Sequence, residues 1–147
     1  MSVLVVRAER KGFTLVELLV VIVVLAALAA IVLPRFIGAG ERSRESALKS
    51  DLRILRGAVT VFENDCKAFP SSLSVLAATS APRSGLDRNG RSKTINSADW
   101  NGPYVEEVPN DPISGSAFTY STRSPTVGRV TSSATGTARD GTNYSDW

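Results

Sequence analysis

The chain has 147 residues and a formal charge of +3, enough for one domain and not two. It contains no histidine and a single cysteine, Cys66, which excludes imidazole catalysis, histidine metal ligation, an intrachain disulfide and Cys-x-x-Cys metal clusters, and with them most hydrolase triads. Arg7, Arg10 and Lys11 against Glu9 put +2 in the first twelve residues, leaving 14 basic against 13 acidic groups over 13–147. No Lys/Arg stripe is interleaved with aromatics, so no nucleic-acid partner is expected.

Residues 18–33 form an unbroken apolar run of sixteen, LLVVIVVLAALAAIVL. Counted from Phe13 the segment has twenty-one residues, a helix of ~32 Å, against ~30 Å for a hydrocarbon core. The basic residues before it predict a cytoplasmic N-terminus. Three readings compete. One is a plain single-pass anchor. Another is a secretory signal with an A-x-A-like site within Ala26-Ala27-Leu28-Ala29-Ala30, although the run exceeds the usual ~7–15 residues of such a region. The third accounts for Glu17, whose ionised carboxylate costs roughly 2.5–3.5 kcal/mol near a bilayer centre and less near its edge.

Lys11-Gly12-Phe13-Thr14-Leu15-Val16-Glu17, between a basic leader and an apolar helix, resembles the prepilin leader junction of type IV pilins and type II secretion pseudopilins. The resemblance implies cleavage between Gly12 and Phe13 by a prepilin peptidase, with methylation of the new Phe13 amine. Gly12, lacking a Cβ, suits an extended backbone in a narrow protease site. Loss of residues 1–12 removes the charged cap that holds the chain end in the cytoplasm. Glu17 is then expected to pair with the Phe13 amine of a neighbouring subunit and set the axial register, a use to which buried polar pairs are suited. A solvated carboxylate at headgroup level is the plainer reading.

Pro34, Gly38 and Gly40 make 34–40 the weak stretch of the helix. It is expected either to kink or unwind on packing, or to be a simple break between anchor and domain. Helical periodicity then returns: Leu48, Leu52, Leu55, Val59 and Phe62 recur on one face, with Cys66 next as an ordinary core residue. Phe69-Pro70 ends the helix.

Residues 71–76 predict a short second helix capped by Ser71 or Ser72, and 79–99 a polar loop. The stretch from Asn101 to Pro112, with Gly102-Pro103-Tyr104 and Pro109-Asn110-Asp111-Pro112, resembles the opening of the globular part of major pseudopilins. Ile113-Ser114-Gly115 departs from the Trp-Gly often found there. Alternation over 117–122 and 128–133 predicts two strands about a Ser124-Pro125 turn, lying on the Leu48–Phe62 face. Residues 135–147 are expected to close the domain as a loop or edge strand. Pseudopilins resemble one another in binding calcium in this region, which makes Asp140 and Asp146 candidate ligands. Calcium takes six to eight oxygens, few carboxylates are present, and two solvated aspartates are the plainer reading.

The expected fold is α+β: a long N-terminal helix, spanning a membrane in its first half, packed against a small antiparallel sheet in a pilin-like domain. Its parts are a leader at 1–12, a membrane and filament-core helix at 13–35, and a periplasmic or surface domain at 36–147. No cofactor is certain beyond the calcium question, and no enzyme is expected. The resemblance implies self-assembly into a helical filament, with a prepilin peptidase, assembly-platform proteins and minor pilins or pseudopilins as partners. The expected setting is a bacterial inner membrane, then a filament. The absent disulfide favours the major pseudopilin of a type II secretion system over a pilus subunit for adhesion, motility or DNA uptake. A single-pass anchored binding module is the rival from another class.

Overall fold

The computed structural model describes residues 12–147, so the expectations for the basic leader at 1–11 lie outside the described residues. The chain divides into two compact units, one ending at Gly40 and the other running Glu41–Trp147. Among the described residues the architecture is α+β, as expected, with one long α-helix and two small antiparallel ladders.

The helix, α1, runs Leu15–Cys66. Its first part is apolar apart from Glu17: Leu15–Val32 has a mean hydropathy of 3.2 with none of it buried. The helical backbone continues through residues 34–40, so the expected plain break between anchor and domain is absent. Proline removes one donor from the ladder, and the hydrogen bonds on either side suffice to keep the element whole.

In the second unit α1 buries one stripe, Leu48, Leu52, Leu55, Val59, Phe62 and Cys66, matching the predicted face residue for residue. Three-to-four spacing places these side chains above one another on a 3.6-residue helix. At the end of α1, Lys67 takes φ 55°, the left-handed turn that commonly stops a helix. Its amide donates to the Glu63 carbonyl at 2.8 Å. Its ammonium donates to the Asn64 carbonyl at 2.6 Å, and Lys93 donates to the Lys67 carbonyl at the same distance. Two cations thus satisfy carbonyls at the negative end of the helix dipole.

After Pro70, the predicted short second helix is a 3-10 helix over Leu73–Ala77. Five residues are too few to nucleate an α-helix without support. Ser72 stands at the N-cap, but its hydroxyl pairs with that of Ser74 at 2.8 Å instead of capping. Leu73 and Leu76 still reach the core.

The predicted loop at 79–99 contains a hairpin. β1 (Ser84–Leu86) pairs with β2 (Ser92–Thr94) in the register Gly85↔Lys93. The turn is closed by Asp87, whose Oδ1 accepts from the amides of Asn89 and Arg91 at 2.8 Å each. β2 is exposed throughout, so it carries no alternating apolar signal. The hairpin is fixed instead by the main chain: Phe69 and Leu86 exchange two backbone bonds of 2.8 Å. Gly85 lies so close that an added Cβ would stand 2.5 Å from the Phe69 carbonyl.

β3 (Thr119–Tyr120) and β4 (Val130–Thr131) pair antiparallel, inside the two predicted strand regions but shorter than either. They lie on the predicted face of α1. Phe118 and Val130 join the core formed by Leu48, Leu55 and Phe62. Arg56 on α1 donates two bonds, of 3.0 and 2.8 Å, to the Val130 carbonyl.

Candidate functional site

The N-terminal junction is the first candidate. Gly12, Phe13 and Thr14 are non-helical and exposed, and the space around Gly12 where a Cβ would stand is open. Thr14 precedes the first helical residue. Its backbone amide donates to Glu17 Oε2 at 3.0 Å and its hydroxyl to the same oxygen at 2.8 Å, while the Glu17 amide donates to Thr14 Oγ1 at 3.2 Å. This is a capping box, the reciprocal pairing that satisfies free donors at a helix start. It gives Glu17 a role within its own chain that neither expectation included. The signal was in the sequence as Thr-x-x-Glu before an apolar run. Glu17 Oε1 takes no part in these three bonds. Beyond this cap the side chains of Leu15–Val32 are exposed, an apolar surface that needs lipid or other helices to cover it.

A second arrangement fixes the Gly-Pro-Tyr segment to the end of α1. The Tyr104 hydroxyl donates to Asp65 Oδ2 at 3.0 Å, and Asn101 Nδ2 donates to the same oxygen at 3.2 Å. The Tyr104 ring meets Phe62 edge-on at 5.3 Å. Burial pushes the Tyr104 hydroxyl well above its ordinary pKa, and the Cys66 thiol, 4.0 Å from it, is pushed up by burial as well. A protonated thiol is a poor nucleophile, in keeping with Cys66 as a core residue. A cleft of about 540 Å³ between α1 and the hairpin is lined by groups already engaged: Arg88 faces Glu63 at 3.5 Å, and Lys67 and Lys93 bond main-chain carbonyls.

The third arrangement sits around Asp111, which is fully buried. Its Oδ1 accepts from the amides of Ile113 and Ser114 at 2.8 and 3.3 Å, and its Oδ2 from the Ser132 hydroxyl and the Ser133 amide. Its lone pairs are occupied by the chain itself. The Pro-Asn-Asp-Pro segment is thereby tied to the strand that leads into residues 135–147.

Those closing residues fold back on α1. Glu45 Oε1 accepts from the Arg139 amide at 3.0 Å and the Tyr144 hydroxyl at 2.9 Å. The Lys49 ammonium stands 4.1 Å above the Trp147 ring and 3.8 Å from Asp140 Oδ2. Trp147 Nε1 donates to Thr142 Oγ1 at 2.6 Å. Asp140 Oδ1 accepts from both the amide and the hydroxyl of Thr142, which, with a smaller contribution from Lys49, holds its pKa below the ordinary carboxylate value. Asp146 takes a bond of 3.4 Å from Asn143. The two aspartates line different clefts, Asp140 with Lys49 and Trp147, Asp146 with Arg129 and Val130. Among the described residues no three Asp, Glu, Cys or His side chains converge. Calcium takes six to eight oxygens, several of them carboxylate or carbonyl, and the donor set at Asp140 does not fit it.

Comparison with known proteins gives two matches along the chain. The description "Prokaryotic N-terminal methylation motif" matches residues 7–33, and "Type II secretion system (T2SS), protein G" matches residues 35–144. The chain is 34 % identical over 105 residues to the type II secretion system core protein G of Klebsiella pneumoniae, covering 71 % of this chain and 69 % of that one. To the protein of the same name from Aeromonas hydrophila it is 32 % identical over 111 residues, 72 % and 69 % of the two chains. To that of Pseudomonas aeruginosa it is 29 % identical over 109 residues, 70 % and 77 %. No solved structure matches.

Proposed function

The chain belongs to the type II secretion system protein G family, and from that premise we propose that it is the major pseudopilin of such a system, a structural subunit and not a catalyst. One observation carries the reading: a methylation motif at 7–33 is followed directly by a protein G match at 35–144. A surface pilus subunit is not favoured, since the relatives compared share the core protein G name.

On this reading a prepilin peptidase cuts between Gly12 and Phe13 and the new amine is methylated. The exposed apolar surface of Leu15–Val32 is covered first by lipid, with the N-terminus cytoplasmic and residues 36–147 periplasmic. It is then covered by the same segment of neighbouring copies as the filament grows on its assembly platform, alongside minor pseudopilins. Glu17, with Oε2 held by Thr14, turns toward the Phe13 amine of a neighbour. In a low-dielectric bundle an unpaired carboxylate is costly, so the pairing selects one axial register.

Mass spectrometry of the mature chain in its native membrane tests the processing step, with N-methylated Phe13 as the expected first residue. A chain beginning at Met1, or after Ala30, would overturn it. For the register, Glu17→Ala is expected to be processed normally yet to give no filaments, and filaments of normal yield would defeat that role.

A further inference from the structure

The closing residues 135–147 carry one conspicuous inconsistency with what the resemblance implied. Pseudopilins of this kind suggested calcium at Asp140 and Asp146, yet these side chains line different clefts, Asp146 with Glu63 and Asp140 with no second carboxylate, and among the described residues no three Asp, Glu, Cys or His side chains converge. Asp111, the buried carboxylate nearest this part of the chain, accepts four bonds from the protein itself. A cation does stand at Asp140, but it belongs to the chain. The Lys49 ammonium faces Asp140 at 3.8 Å and covers the Trp147 ring at 4.1 Å.

We infer that residues 135–147 are closed onto α1 by the Lys49 ammonium in the role a metal ion would otherwise fill, so that the domain is complete without calcium. One lysine is a sufficient counter-charge. The closing residues hold Asp140, Asp146 and Arg139, a net charge of −1, and only Asp140 turns toward Lys49. A divalent ion placed there would meet one carboxylate already facing an ammonium, and like charge would repel it. The ammonium also joins two parts of the segment at once. Asp140 lies in the turn closed by the Ala138 and Gly141 amides, and Trp147 is bound back to that turn through Thr142. Glu45, one helical turn before Lys49 on α1, supplies the acceptor for the Arg139 amide and the Tyr144 hydroxyl. Two side chains four residues apart share one helix face, and together they clasp the segment by one anion and one cation. The inference stands on residues 41–147 alone and is unaffected by whether the chain assembles.

The test is amide hydrogen exchange of the full chain in detergent micelles, read by mass spectrometry on peptides covering 135–147. The Ala138, Gly141 and Tyr144 amides are bonded within the segment and report its opening. The wild-type chain is expected to exchange at the same rate in excess EDTA and in millimolar calcium. Lys49→Met should speed exchange of these amides by about two- to fivefold, the scale of a cation–π contact at an exposed site. Lys49→Arg, which keeps both the charge and the ring contact, should restore protection. Lys49 is mostly exposed, so the rest of the domain serves as an internal control, with peptides over 48–66 expected to be unchanged. Protection that falls in EDTA and returns with calcium would overturn the inference, and so would wild-type protection in Lys49→Met.

Discussion

Replacing Asp111 with asparagine isolates how far one buried carboxylate organises the domain. The two carboxylate oxygens accept two bonds each, and the residue is shut off from solvent. Asparagine keeps one acceptor oxygen and turns an NH₂ group toward the remaining two donors. Two bonds fall from charge-assisted to neutral, a loss of about 1 kcal/mol each, and two donors are stranded at about 1 kcal/mol or more each. The expected loss is about 4 kcal/mol, equivalent to more than ~15 °C in Tm for a unit of this size. Thermal unfolding of the full chain in detergent, followed by the fluorescence of Trp100 and Trp147, measures it. The pH dependence gives a second reading. Burial pulls the Asp111 pKa up, but the Ser132 hydroxyl and the three amides pull it down and prevail. With the folded value below the unfolded one, the carboxylate stabilises fully above the unfolded pKa, and that contribution disappears as pH falls through the folded one. Wild type and Asp111→Asn should therefore converge in acid. A loss below about 1 kcal/mol at neutral pH, or a gap that stays constant into acid, would refute the account.

Gly85→Ala should cost about 1–3 kcal/mol, because the added methyl meets the Phe69 carbonyl at 2.5 Å and the Ala68 and Ile95 side chains at 3.1 Å; faster exchange at the Phe69 and Leu86 amides is the readout. Cys66, buried and with its thiol pKa raised by that burial, should resist iodoacetamide in the native chain and react only on unfolding. Alkylation at the rate of a free thiol would show that the end of α1 opens readily.

The α1 core was legible in the sequence because three-to-four spacing of large aliphatic residues has few other solutions. The junction at Gly12–Glu17 was legible because its order of residue types is unusual. What escaped was structure that rests on polar atoms. The β1–β2 hairpin has no alternating pattern, since its second strand faces solvent on both sides, and it is held through backbone exchange with Phe69. The capping role of Thr14 was visible as a spacing but overshadowed by the cost of Glu17 in an apolar segment. Asp111 read as part of a turn motif. That it would be buried and joined to Ser132 depends on a pairing 21 residues away, which local sequence does not express. The short helix at Leu73–Ala77 was legible from its apolar positions, while its 3-10 geometry was not.

The bonds that clasp α1 have a consequence for the order of events during synthesis. Arg56 waits for a carbonyl 74 residues later, and Glu45 for donors 94 and 99 residues later. Contacts so distant in sequence form late, because loop closure must precede them. The stripe from Leu48 to Phe62 therefore emerges from the ribosome complete and helical while the strands that cover it do not yet exist. During that interval it is a sticky surface shared by every nascent copy, and one prone to aggregate. The speed at which residues 118–147 arrive and fold back then sets how much of each batch of chains is lost before any subunit is finished.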